Sequence, residues 1–333
     1  MKYRKLGTTD LIVSEVAFGV WTVATGWWGK VEKDDAVRLL RNAVEQGVTL
    51  FDTADTYADG YGEEILRDTF PKQKRQDVII GTKFGYDLKT ERWGHHKERR
   101  QRWDPEFIRE ACEDSLRRLG TDYVDLYQLH NPRLDTVNDD LVFETLDALV
   151  KEGKIRHYGV ALGPDIGWQA EGKAAMDERH IQSLQIIYSI IEQQPARAFF
   201  PTARANETGL LARVPHASEI LTDEFTNQVK VEFDASDHRA HRKQEWLDTA
   251  FEKRSHVLFI AEQTGRSLAQ AAIQFCLSEP YIAAVLPNIV RQDQLDEFTA
   301  GSDVPPLAPD EITELHHLYD DVFATLEEIQ PQR

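Results

Sequence analysis

Four side chains in the first half of this sequence could together move a proton: Asp52, Tyr57, Lys83 and His130. An unperturbed phenol has a pKa of about 10, too high for ready exchange near neutrality. A neighbouring ammonium favours the phenolate. At an effective dielectric of about 20 and roughly 4 Å that attraction is on the order of 4 kcal/mol before desolvation is subtracted, enough to move a phenol by a unit or more. In this set Lys83 supplies the ammonium, and Asp52 keeps it charged and placed. His130 would hydrogen-bond a substrate carbonyl oxygen and polarise it. Tyr57 would then protonate that oxygen as hydride reaches the carbon, or accept the proton in reverse.

Taken singly, each residue has a plainer reading. Tyr57 is a rim tyrosine packing its ring, Lys83 a solvated strand end, His130 a satisfied structural histidine, and Asp52 the cap of the next turn. Their positions set them apart. Short apolar runs at Val16–Trp21, Val48–Phe51, Val78–Thr82, Tyr123–Leu129, His157–Leu162, Leu184–Tyr188, Gly209–Val214 and Ala283–Leu286 read as strands buried on both faces. Amphipathic helices lie between them. Asp34 is expected to cap one that Gly47 ends; Asp104-Pro105 opens another before Gly120; Val142, Leu146 and Leu149 line a third; Ser267 begins a fourth. Strict alternation predicts a parallel sheet, and eight units predict a closed (β/α)8 TIM barrel spanning 1–333 as one unit, with an N-terminal β-hairpin turning near Gly7-Thr8-Thr9-Asp10 and a C-terminal helix. The alternative is an open doubly wound sheet, but the glycine-rich turn of that fold is absent. In a barrel the strand C-terminal ends share one rim, so the four residues would meet.

Composition narrows the partners. The 57 acidic residues outnumber 39 basic ones, giving a formal net charge of −18, which argues against nucleic acid or an anionic membrane. Two cysteines, Cys112 and Cys276, cannot build a disulfide framework or a metal quartet. A reducing compartment fits, and no signal peptide or spanning segment is evident, so a cytoplasmic location is expected. No oligomeric state follows from these features.

The set Asp52, Tyr57, Lys83 and His130, with the pattern Asp52-x-Ala54-x-x-Tyr57-x-x-Gly60-x-x-Glu63, resembles the catalytic tetrad and tyrosine motif of the aldo-keto reductases. The resemblance extends to Gly19-Val20-Trp21, Gln185 with Tyr188, Ala212-Arg213-Val214-Pro215, and Pro287 through Glu297. It implies reversible hydride transfer between NAD(P)H and a small aldehyde or ketone. NADPH is the default cofactor, with NADH possible, and no metal is needed. By the same resemblance Trp21, Asp52, Gln185 and Tyr188 border the nicotinamide. The backbone of Val214, Pro215 and His216 meets the pyrophosphate, and Arg291, Gln294 and Glu297 reach the adenosine end. Several positions depart from the family pattern. Ala161-Leu162 replaces the Ser-Asn that holds the carboxamide, leaving that task to Gln185. Ala58 replaces a glycine, Pro287-Asn288 a Pro-Gly, Val290 a lysine and Phe298 an asparagine. Glu219-Ile220-Leu221-Thr222-Asp223 replaces a glycine-and-lysine loop.

Other features have competing readings. Trp27-Trp28 either walls a substrate pocket or covers the first strand's loop. The basic stretch Lys89, Arg92, His95, His96, Lys97, Arg99, Arg100 and Arg102 reads as a solvated loop, with attraction of an anionic substrate as the alternative. Asp234, Asp237, His238 and His241 have a metal-compatible spacing, which loop polarity explains better. Two other functions compete with the reductase: a lyase forming a Schiff base on Lys83, and a nucleotide-binding regulatory subunit with little turnover.

Overall fold

The computed structural model describes residues 1–90, 99–163, 168–225, 244–261 and 265–323. A strand covered on both faces gains from apolar side chains on each, and the eight apolar runs fold accordingly. After an antiparallel hairpin of β1 (Tyr3–Lys5) and β2 (Ile12–Ser14) come β3 (Phe18–Gly19), β4 (Leu50–Asp52), β5 (Ile79–Phe84), β6 (Val124–His130), β7 (Ile155–Ala161), β8 (Ser183–Ile187), β9 (Gly209–Arg213) and β10 (Ile282–Leu286). Each of these eight pairs in parallel with the next. Val16, just before β3, bridges Val285 of β10, and Ala17 N donates to Val285 O at 2.9 Å. The ring of strands thereby comes around on itself as a (β/α)8 barrel.

The helices are α1 (Trp21–Ala24), α2 (Lys33–Glu45), α3 (Tyr61–Thr69), α4 (Pro105–Leu119), α5 (Leu134–Val137), α6 (Asp140–Lys151), α7 (Gln169–Asp177), α8 (Ala196–Asn206), α9 (Gln244–Val257), α10 (Leu268–Leu277), α11 (Gln292–Ala300) and α12 (Pro309–Leu318). Sequence signals set several of their ends. Asp104 accepts from Phe107 N at 3.0 Å ahead of Pro105, and Gly120 closes α4 in the left-handed region. Ser267 and Gln270 form a reciprocal capping box on α10. Two expectations need correction. The first barrel strand is only Phe18–Gly19, because the chain turns at Val20 into α1, which Trp21 opens. Asp34 lies within the first turn of α2; Glu32 holds the cap position and makes no side-chain capping bond.

Most of the core lies between the strands and the surrounding helices. A smaller inner cluster fills the barrel, where Leu6, Leu11 and Val13 from the hairpin region meet Leu50, Leu126 and Leu211. The hairpin thus plugs the end opposite the strand C-termini. Gly7 makes this approach possible: it sits at φ 54, and a Cβ there would lie 2.4 Å from Gly209 N. No described helix is long and apolar enough to cross a membrane. Cys112 and Cys276 are both buried as free thiols, and burial pushes Cys112 up to about 12, which leaves it no nucleophilic character near neutrality.

Candidate active site

Three barrel strands bring the proton-moving set together. Asp52 ends β4, Lys83 stands one residue before the end of β5, and His130 ends β6. Tyr57 follows β4 on a loop tied down by Tyr57 N to Ala54 O (3.1 Å) and Gly62 N to Tyr57 O (3.0 Å). Ala58 and Asp59 run through the left-handed region at φ 47 and 57, which is the physical reason a glycine suits the position after the tyrosine. Below the loop, Glu63 is fully buried and accepts from Arg118 Nε and Thr82 Oγ1, both at 2.6 Å. This anchors the start of α3 to β5.

The Lys83 ammonium is 1% exposed and donates to Asp52 Oδ1 (2.5 Å), Thr53 O (2.8 Å) and Tyr57 Oη (3.1 Å). An ammonium has three N–H donors and no acceptor, so all three are committed. Tyr57 Oη is therefore the acceptor in its bond with Lys83, and its own proton is available to another acceptor. Burial works against the charge on Lys83, but Asp52 and Tyr57 outweigh it, and its pKa lies above the usual lysine value. The other oxygen of Asp52 accepts from Gln128 Nε2 (3.0 Å) and Gln185 Nε2 (2.9 Å). Gln128, buried within β6, is a supporting group missed in the sequence; a polar side chain inside a buried strand was its signal.

The His130 ring lies edge-on to Tyr57 at 6.3 Å and to Tyr86 at 5.2 Å. Burial holds its pKa well below the ordinary histidine value, and Lys83 and Arg213 push it the same way. The ring is therefore neutral near pH 7. Its Nδ1 is buried without a partner among the described residues. An unpaired buried donor is rarer than an under-satisfied acceptor, which favours the tautomer with the proton on Nε2. Gln101 Nε2 donates to the His130 and Asn131 carbonyls at 2.9 and 3.0 Å, holding the strand end from the following loop.

The expected cofactor-contacting residues separate into three places. Trp21 stands at the rim after β3, with Trp27 and Trp28 at 6.0 and 5.9 Å between ring centroids. Gln185 is at the rim but bonded to Asp52. Tyr188 is not at the rim: its buried ring stacks on Phe275 of α10 and meets Phe200 of α8 edge-on, both at 5.2 Å. That corrects the expectation that it borders a nicotinamide. Val214 and Pro215 follow β9, Val214 in the left-handed region at φ 58, a costly setting for a β-branched residue. The His216 side chain turns away under α11, 4.3 Å from the Phe298 ring, with Nε2 against Ala269 O. Arg291 holds the cap position at the start of α11, and Gln294 and Glu297 follow along it. Glu224 Oε1 accepts from Arg291 Nη2 (2.5 Å) and Gln294 Nε2 (2.9 Å), Asp293 also pairs with Arg291, and Ser267 Oγ donates to Glu297 at 2.5 Å. Asn288 Nδ2 donates to Glu219 Oε1 at 2.8 Å.

Among the described residues of the basic loop, Arg99 pairs with Asp59 at 2.6 Å, Arg102 with Asp104, and Lys89 with Glu110. Arg92, His95, His96 and Lys97 lie outside the described residues, as do Asp234, Asp237, His238 and His241. Among the described residues no group of three or more His, Cys, Asp or Glu could hold a metal ion.

The barrel with titratable groups gathered at its strand C-termini is an enzyme architecture of the (β/α)8 type. The chain belongs to the aldo/keto reductase family, whose sequence profile matches residues 15–320. It is 31% identical over 331 residues to the uncharacterized oxidoreductase YqkF of Bacillus subtilis (strain 168), covering 97% of this chain and 98% of that protein. It is 28% identical over 310 residues to the aldo-keto reductase YhdN of the same organism, covering 90% and 88%. The holo form of aldo-keto reductase AKR11C1 from Bacillus halodurans aligns with a TM-score of 0.76 and 29% identity, over 96% of each chain. This protein is accordingly an oxidoreductase.

Proposed function

We propose that this chain interconverts small aldehydes or ketones and their alcohols, with Tyr57 as general acid and base and a nicotinamide dinucleotide as redox partner. The observation that carries the reading is the saturated Lys83 ammonium, which leaves the Tyr57 hydroxyl as an acceptor on one side and a donor on the other. When bound, NAD(P)H supplies the hydride. Lys83 supports negative charge on the Tyr57 oxygen as the proton leaves. Asp52, held by Gln128 and Gln185, keeps Lys83 charged and in place. Neutral His130 donates from Nε2 to the substrate oxygen and orients it, without giving up a proton itself.

Trp21, Gln185, the backbone of Val214, Pro215 and His216, and Arg291, Gln294 and Glu297 remain the groups proposed to meet the cofactor. Buried rim groups with orphaned polar atoms, such as His130 Nδ1, suit a site that is completed by bound molecules. NADPH is the default that the family resemblance implies. The acidic surroundings of Arg291 instead favour NADH. Its guanidinium is already held by Glu224 and Asp293, and Glu219, Asp223 and Glu297 add further negative charge beside any 2′-phosphate. A carboxylate in such a position serves a ribose hydroxyl better than a phosphate. The Schiff-base alternative gains no support from Lys83, because a buried, fully bonded ammonium is a poor nucleophile.

Oxidation of NADH and NADPH followed at 340 nm against a panel of sugar, aromatic and phosphorylated carbonyl compounds tests the reading. Carbonyl-dependent oxidation is expected. Tight dinucleotide binding without turnover across the panel would instead support a regulatory subunit.

A further inference from the structure

The rim beside the tetrad contains a cation that the proposed proton transfer does not use. Arg213 is the last residue of β9, in register with Ile187 of β8 and Leu286 of β10. Its Nη2 reaches back across β8 and donates to the carbonyl of Leu162, just past the end of β7, at 2.7 Å. Its Nε is buried without a hydrogen-bond partner. Among the described residues no carboxylate pairs with it. Burial holds the guanidinium below its usual pKa, and Tyr57, Asp52 and Glu192 attract it only from a distance.

The same corner of the rim is poor in side-chain donors. Ala161 and Leu162, at the end of β7, offer no polar side chain. Gln185, which pairs in register with Ala161 and whose carbonyl accepts from Leu162 N, has one of its two amide N–H groups committed to Asp52. A buried N–H without an acceptor has lost its water and gained no partner in exchange. A planar guanidinium fixed at one nitrogen and with N–H groups still unbonded is suited to receive a carbonyl oxygen.

We infer that Arg213 positions the nicotinamide end of the cofactor by donating to its carboxamide oxygen, beside Gln185, in the corner where Ala161 and Leu162 have no side-chain donor to offer. This rests on the proposed nicotinamide-dependent function. It adds a consequence: a cation at that end disfavours the positively charged oxidised ring more than the neutral reduced one. Arg213 would therefore tighten the reduced cofactor selectively.

The test is calorimetric titration of the full-length protein and its Arg213→Met and Arg213→Lys variants, each checked for folding by circular dichroism. The ligands are NADH with ADP-ribose, and NADPH with 2′-phospho-ADP-ribose, so that each pair differs by the nicotinamide. Arg213→Met is expected to weaken the reduced cofactor at least tenfold and its ribose fragment less than twofold. Arg213→Lys should fall between, and NAD⁺ should weaken less than NADH. Equal losses for cofactor and fragment would overturn the inference by moving Arg213 to the phosphates. An unchanged cofactor affinity with a raised KM for anionic carbonyl substrates would overturn it by moving Arg213 to the substrate. A wild-type protein that binds neither dinucleotide would instead remove the functional reading on which the inference rests.

Discussion

At the residue scale, the site is organised by what a buried ammonium requires. Lys83 has lost its water and has gained one carboxylate, one carbonyl and one phenol oxygen in exchange. Removing one partner of a buried ion pair leaves the other charge uncompensated, at a cost of about 3–5 kcal/mol. Lys83→Met should therefore destabilise the protein by about that amount in urea unfolding, whereas Lys83→Met with Asp52→Asn should regain much of the stability and none of the turnover. A single variant as stable as the wild type would mean that the pair is not buried as described. These residues were legible in the sequence because their types and strand-end positions coincide. Gln128 and Arg213 were not singled out. An isolated polar residue in a buried strand, or a charged one at its end, has no local partner in the sequence that shows what it bonds. Tyr188 failed for the opposite reason: it is near the right strand end, but the side to which its ring turns is decided by Phe200 and Phe275, from α8 and α10.

At the element scale, the proposed cofactor choice rests on the loop after β9 and the first turn of α11. Arg291 is held by Glu224 at 2.5 Å and by Asp293. The wild type is expected to bind NADH more tightly than NADPH. Glu224→Lys removes one negative charge, adds a positive one and releases Arg291. The ratio of NADPH to NADH dissociation constants should fall by roughly tenfold or more, equivalent to about 1.4 kcal/mol. A ratio unmoved by this charge reversal would place the 2′-hydroxyl end of the cofactor elsewhere. Barrel strands and well-capped helices were readable here because their signals are local: mainly apolar runs for β5 to β10, and Asp104-Pro105 or Ser267 at helix starts. The turn into the short α1 and the capping residue of α2 were misjudged. Trp21 extends an apolar run in sequence, but β3 pairs with β4 only through Phe18 and Gly19 before the chain turns.

At the scale of the whole molecule, closure of the barrel and plugging of its base by the hairpin depend on contacts between the first and last strands. Neither can be read from any one segment. Such packing also buries histidines. Burial lowers His216 from the usual 6.5 to about 4, with only Ala269 O opposing the shift. A base whose folded pKa is depressed gives stability that is present above its unfolded pKa and is lost as pH falls toward the folded value, because the unfolded chain takes up the proton first. For His216 that loss is about 2 kcal/mol by pH 5. His130 and the half-buried His316, both lowered mainly by burial, act in the same direction. Unfolding free energy should decline between pH 6.5 and 5, and His216→Gln should flatten that decline measurably. An identical slope in the variant would show that other groups set the acid limit.

The central claim is tested most directly by Tyr57→Phe, which removes one hydroxyl and leaves the ring to pack. The variant should stay folded and bind the reduced cofactor within about threefold of the wild type. Its kcat for carbonyl reduction should fall by about 100-fold or more, as expected when a positioned general acid is lost. A folded, cofactor-binding Tyr57→Phe protein that keeps near-normal turnover would contradict the proposed mechanism.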